Sequence, residues 1–131
     1  MWIIPLKEIK IMKIAITSTG KELDSEVDLR FGRAQGFIIY DVVTHEYNFV
    51  NNVQNLEAAQ GAGIQAAQNV VNQDVEVLIT GHCGPKAFKV LSAADIKIYV
   101  GAEGTIGEVI DKFTNNKLEQ AASPDVEGHW V

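Results

Sequence analysis

The run Gly81-His82-Cys83-Gly84-Pro85-Lys86 concentrates the chemistry of this chain. It follows a β-rich stretch, Val75 to Thr80, and opens a helical pattern from Lys86 to Ala94 in which Phe88, Val90, Leu91 and Ala94 share one side. Pro85 suits the first turn of that helix. In open α/β sheets the carboxyl end of a strand is where ligands bind, and a helix that starts there offers unpaired N–H groups to an anion. The same field, with His82 adjacent, predicts a lowered pKa for the Cys83 thiol and a thiolate fit to act as nucleophile or soft-metal ligand. Gly81 and Gly84 let a bulky ligand approach the backbone. A purely structural alternative has Cys83 packed under the turn, His82 in solvent and both glycines serving turn geometry.

A second cluster, Arg30-Phe31-Gly32-Arg33-Ala34, lies in the polar loop after the strand pattern Lys13 to Thr17. If that strand lies beside the one ending at Thr80, Arg30 and Arg33 share a sheet edge with the Cys83 turn. There they would bind an anion through charge-assisted hydrogen bonds. The competing expectation is that at least one arginine pairs with Asp24, Glu26 or Asp28. Other motifs carry less. One Cys with His45, His82 and His129 lacks the paired spacing of structural zinc. Gly61, Gly63 and Ala66 fit a G-x-G-x-x-A dinucleotide pattern, but no strand runs directly into it, and helix packing by small residues explains it better.

The elements that must position these residues alternate in type. Gly36 to Val43 and His45 to Val50 read as a hairpin about Thr44, and a helix runs from Ala58 or Gly61 to Asn72. Ile96 to Val100 is a further strand. Thr105 and Glu108 form a capping box ahead of Val109, Ile110 and Phe113. The order β-β-β-α-β-α-β-α predicts an α/β domain with helices on both faces of a mixed sheet. Ser123 to Val131 reads as a loose tail.

At 131 residues with 47% hydrophobic and 21% charged side chains, the chain fits one globular domain. A net charge of -6 and a pI near 4.9 repel nucleic acid and anionic membranes. No apolar stretch approaches the roughly 20 residues of a spanning helix. Residues 1–11 read as an amino-terminal extension without the pattern of a secretory signal, residues 12–118 as the domain and 119–131 as a tail. A lone cysteine without an export signal points to the cytoplasm.

Met12-Lys-Ile-Ala-Ile16, Phe31-Gly-Arg-Ala34, Gly61-Ala-Gly63 and Gly81-His-Cys-Gly-Pro-Lys-Ala-Phe88, in this order, resemble the dinitrogenase iron-molybdenum cofactor biosynthesis family of small NifX-like and NifB-carboxy-terminal-like domains. The resemblance spans Met12 to Leu118. It implies a three-layer α/β/α ribonuclease-H-like fold with a five-stranded mixed sheet. It also implies relatives that carry iron-sulfur or iron-molybdenum cluster precursors, and an orange protein that holds a molybdenum-copper sulfide cluster. Carriers of the nitrogenase cofactor have His just before the Phe-Gly pair, where this chain has Arg30. A guanidinium cannot ligate metal, so Arg30 speaks against binding of the mature cofactor while still neutralising an anionic cluster. Of the strand-borne carboxylates of a nuclease, only Asp41 is present.

The functional expectation is a non-catalytic carrier that binds an iron-sulfur or molybdenum-containing metal-sulfur cluster transiently. Cys83 and His82 would ligate metal, and Arg30, Arg33, Gly81 and Gly84 would complete the cofactor-binding set. Its partners would be cluster-donor and cluster-acceptor proteins rather than nucleic acid or membrane. Two alternatives stay open: a regulatory domain that binds a small anion or nucleotide without metal, and an enzyme with Cys83 as nucleophile and His82 as base.

Overall fold

A strand that is apolar on both sides must be covered on both sides, and Lys13–Ser18 (β1) is buried from Ile14 onward. In the computed structural model, which describes residues 12–125, β1 is the middle of a five-stranded sheet. It pairs antiparallel with Gly36–Asp41 (β2), which pairs antiparallel with Tyr47–Asn51 (β3). On its other side lie Val77–Ile79 (β4) and then Lys97–Tyr99 (β5), both parallel. The order β3-β2-β1-β4-β5 puts the meander on one half and the crossover strands on the other. The expected extension at residues 1–11 and the end of the expected tail, residues 126–131, lie outside the described residues.

The period-two alternation of the strands separates two cores. Ala15, Phe37, Ile39, Leu78 and Ile98 face the helices Ala62–Val71 (α1) and Pro85–Ala93 (α2), which contribute Ala66, Ala67, Val70, Ala87 and Leu91. Ile14, Ile16, Ile38, Tyr40, Val77 and Ile79 face Ile106–Thr114 (α3), packed through Ile106, Val109 and Ile110. Helices on both faces of a mixed five-stranded sheet are the architecture expected from the element order. Among the described residues, no helix is long and apolar enough to cross a membrane.

Local chemistry sets the boundaries. The hairpin turns about Thr44 as expected, but β2 stops at Asp41 because its Oδ1 accepts from the backbone N–H of Val43 at 2.8 Å and of Thr44 at 3.1 Å. His45 completes the turn with φ +66°. The capping box of α3 is formed: Glu108 N–H donates to Thr105 Oγ1, and Thr105 N–H donates to Glu108 Oε1 at 2.9 Å. The segment after α3 returns to the sheet. Gln120 pairs antiparallel with Tyr99, and Ala121 N–H donates to the Ile98 carbonyl at 2.7 Å. An edge strand leaves a row of backbone groups without partners, and the segment after α3 supplies some of them along β5.

Candidate functional site

The loops at the carboxyl ends of β1 and β4 meet. Two buried threonines tie them to the sheet: Thr17 and Thr80 share a hydrogen bond at 2.9 Å between hydroxyls, and the Thr17 hydroxyl donates to the Asp28 carbonyl at 2.7 Å. Arg30 then forms a parallel bridge with His82, and Phe31 N–H donates to the His82 carbonyl at 3.3 Å. This approach requires a glycine at position 81, because a Cβ there would lie 2.6 Å from the Leu29 carbonyl oxygen and 2.7 Å from its Cα. Phe31, 1% exposed, anchors the arginine loop in the same core as Cys83 and packs on Phe37 at a ring separation of 5.9 Å. The shared sheet edge expected for Arg30 and the Cys83 turn is present.

Each expected site residue has a definite place. Gly81 and Gly84 are buried, and Gly84 is the N-cap of α2 with no side chain capping it. Arg30 and Arg33 are exposed, and neither forms an ion pair with another described residue. The expected partner Asp28 instead accepts the backbone N–H of Arg30 through Oδ1 at 3.2 Å. Arg30 thus sets a cationic residue beside the turn through its backbone bridge to His82. The contact found is through backbone at Arg30, while Arg33 lies three residues further along the loop.

Cys83 departs from the chemistry expected of it. Its side chain is fully buried, and its thiol contacts the Gly84 carbonyl at 3.7 Å. Burial, with a smaller contribution from the Asp125 carboxylate, pushes the thiol up to about 12 instead of lowering it. Desolvation of a thiolate outweighs the field of a nine-residue helix and a neighbouring imidazole. In this conformation Cys83 is a neutral thiol at pH 7.

Asp125 is the site residue that sequence reasoning missed. Its Oδ1 accepts from Cys83 N–H at 2.8 Å, its Oδ2 lies 3.1 Å from His82 Nδ1, and its own N–H donates to the Cys83 carbonyl at 3.3 Å. No motif marks a carboxylate 42 positions beyond the cysteine. The G-x-G-x-x-A pattern resolves into the start of α1, with Gly61 as N-cap and a loop of Asn52 to Gln60 separating it from β3. That loop places no strand against the pattern, so the dinucleotide-binding context is missing.

A five-stranded mixed sheet covered by helices on both faces, with a turn carrying His82 and Cys83 between two glycines at the end of β4 and bridged to the loop of Arg30, defines a small α/β domain. The chain belongs to the dinitrogenase iron-molybdenum cofactor family, whose sequence profile matches residues 12–116. It is 39% identical to the orange protein of Desulfovibrio gigas, solved in its apo form; the match covers 89% of this chain and 98% of that one with a TM-score of 0.84. It is 38% identical to a Thermotoga protein described as NifB-like, over 89% of this chain and 99% of that one, with a TM-score of 0.75. A Methanocaldococcus jannaschii protein described as dinitrogenase-like shares the fold at 18% identity and a TM-score of 0.67, over 88% of this chain and 99% of that one. No curated protein matches the chain in sequence. Family and neighbours together support a role in the biosynthesis or binding of an iron-molybdenum cofactor.

Proposed function

We propose that the chain is a non-catalytic carrier of an anionic metal-sulfur cluster or cluster precursor, bound transiently at the Cys83 turn. The observation that carries this reading is the bridge between Arg30 and His82, which holds the arginine loop against the Cys83 turn. Arg30 and Arg33 balance the charge of the cluster, Gly81 and Gly84 keep the backbone approachable, and Cys83 with His82 ligates metal. A preassembled cluster brings its own sulfides, so one protein thiolate suffices and release stays easy. Metal coordination supplies the driving force that deprotonates the buried thiol, and loading therefore releases a proton. Cluster-donor and cluster-acceptor proteins in the cytoplasm are the partners this role requires.

Two sources of cluster test the proposal: anaerobic incubation with ferrous iron and sulfide, and with tetrathiomolybdate plus copper. Visible absorbance and bound metal are followed for the wild type, Cys83→Ala and Arg30→Ala. Uptake near one cluster per chain that is lost in Cys83→Ala establishes a thiolate-anchored carrier. The buried, neutral thiol supports a second reading, in which charge and backbone donors hold the anion without any bond to sulfur. Uptake retained in Cys83→Ala and weakened in Arg30→Ala selects that reading. No uptake from either source removes the carrier assignment and leaves a regulatory domain for a small metal-free anion or nucleotide. A nucleophilic role for Cys83 is disfavoured by its raised pKa.

A further inference from the structure

We infer that the segment after α3 is a strap whose Asp125 carboxylate holds the Cys83 turn closed, so that an anionic ligand binds only as the strap lets go. Three contacts converge from one residue onto two successive positions of the turn: Oδ1 to Cys83 N–H at 2.8 Å, Oδ2 to His82 Nδ1 at 3.1 Å, and Asp125 N–H to the Cys83 carbonyl at 3.3 Å. The carboxylate is thus an internal anion seated on a backbone donor of the turn beside which Arg30 is bridged. A second anion on that donor would sit against it at like charge and must displace it.

The strap is built to come away. It is tied upstream to the edge of β5 by the Ala121 to Ile98 hydrogen bond and the Gln120 to Tyr99 bridge. Between it and α2 lies a hollow of about 370 Å³ lined by Phe88, Ser92, Lys97, Gln120 and Ala121. The Asp125 and His82 side chains are 28% and 45% exposed, so water can replace each contact as it breaks. The closing device is this segment's Asp125, held on the turn by the three contacts above. Its ligand half rests on the carrier reading above, whereas the closure of Cys83 does not.

The test separates the two. Full-length wild type, Asp125→Ala and Asp125→Asn are alkylated at pH 8 with iodoacetamide, a neutral reagent whose encounter with the protein is insensitive to the charge change. With each rate corrected for the thiolate fraction read from its own pH dependence, Cys83 in Asp125→Ala reacts at least tenfold faster than in the wild type, with Asp125→Asn between them because its amide oxygen still accepts from Cys83 N–H. In the wild type itself, titration with tetrathiomolybdate moves the amide resonances of Cys83 and Asp125 together, and Asp125→Ala binds the same probe at least fivefold more tightly. Equal alkylation rates overturn the strap. So does tetrathiomolybdate binding that leaves the Asp125 amide unmoved, an outcome that leaves the carrier reading intact. Accelerated alkylation with no tetrathiomolybdate binding to any form upholds the strap and rejects the carrier. If Asp125→Ala fails to fold, as judged by its amide spectrum, Asp125→Asn and the wild-type titration decide.

Discussion

Cys83 shows how strongly the surroundings of one residue set its chemistry. A helix start and an adjacent histidine favour a thiolate, yet full burial beside a carboxylate reverses the sign and pushes the thiol from an ordinary value of 9.0 up to about 12. The consequence for stability is specific. Between these two values the folded protein keeps the Cys83 proton while the unfolded chain has lost it, so stability falls as pH rises through the window. The slope contributed by this one group is up to about 1.4 kcal/mol per pH unit. Urea unfolding of wild type and Cys83→Ala between pH 8 and 10.5 checks this: the wild type loses stability more steeply, and the difference opens above pH 9. Parallel curves would contradict a buried neutral thiol.

At the scale of elements, the site depends on how closely two loops approach. The Arg30 loop reaches His82 only because nothing projects from Gly81 toward Leu29, whose backbone a methyl group would strike at 2.6 to 2.7 Å. Those atoms are main chain and cannot swing aside. Gly81→Ala is therefore expected to destabilise the fold by about 1–3 kcal/mol, as overpacking does, and to push the arginine loop off the turn. Chemical denaturation reads the first effect. Loss of hydrogen-exchange protection at Phe31, whose N–H binds the His82 carbonyl, reads the second. By contrast the Thr105–Glu108 capping box is a local device, complete within four residues, and its carboxyl is held below the usual range by the Thr105 backbone and side chain.

For the whole molecule, the site is the end of one continuous core. Phe31, Cys83, Ala87 and Leu91 belong to the same buried cluster as Ala15, Leu78 and α1, so the turn is seated by packing that reaches across the sheet. Leu91→Ala, at a fully buried position on α2, should cost about 2–5 kcal/mol of global stability. Because α2 begins at the cysteine turn, the same change should raise the hydrogen-exchange rate of the Cys83 amide more than that of Ile38 on the opposite face. Both follow from thermal unfolding and amide exchange on one sample.

What the amino-acid sequence determined by itself is everything governed by contacts of short range or by a fixed period. The β-rich runs at Lys13 to Thr17 and from Gly36 marked the first two strands. The glycine-cysteine turn announced itself between a strand and a helix, and the capping box named its own partners. These depend on neighbours within a few positions, where backbone geometry leaves little choice. Tertiary structure decided the rest. Whether Cys83 is charged depends on how many atoms surround it, a quantity set by the packing of Phe31 and α2. That Asp125 closes the turn depends on a chain segment following the edge of β5 back to a residue 42 positions earlier, and no local rule encodes the partner of a lone carboxylate across that distance.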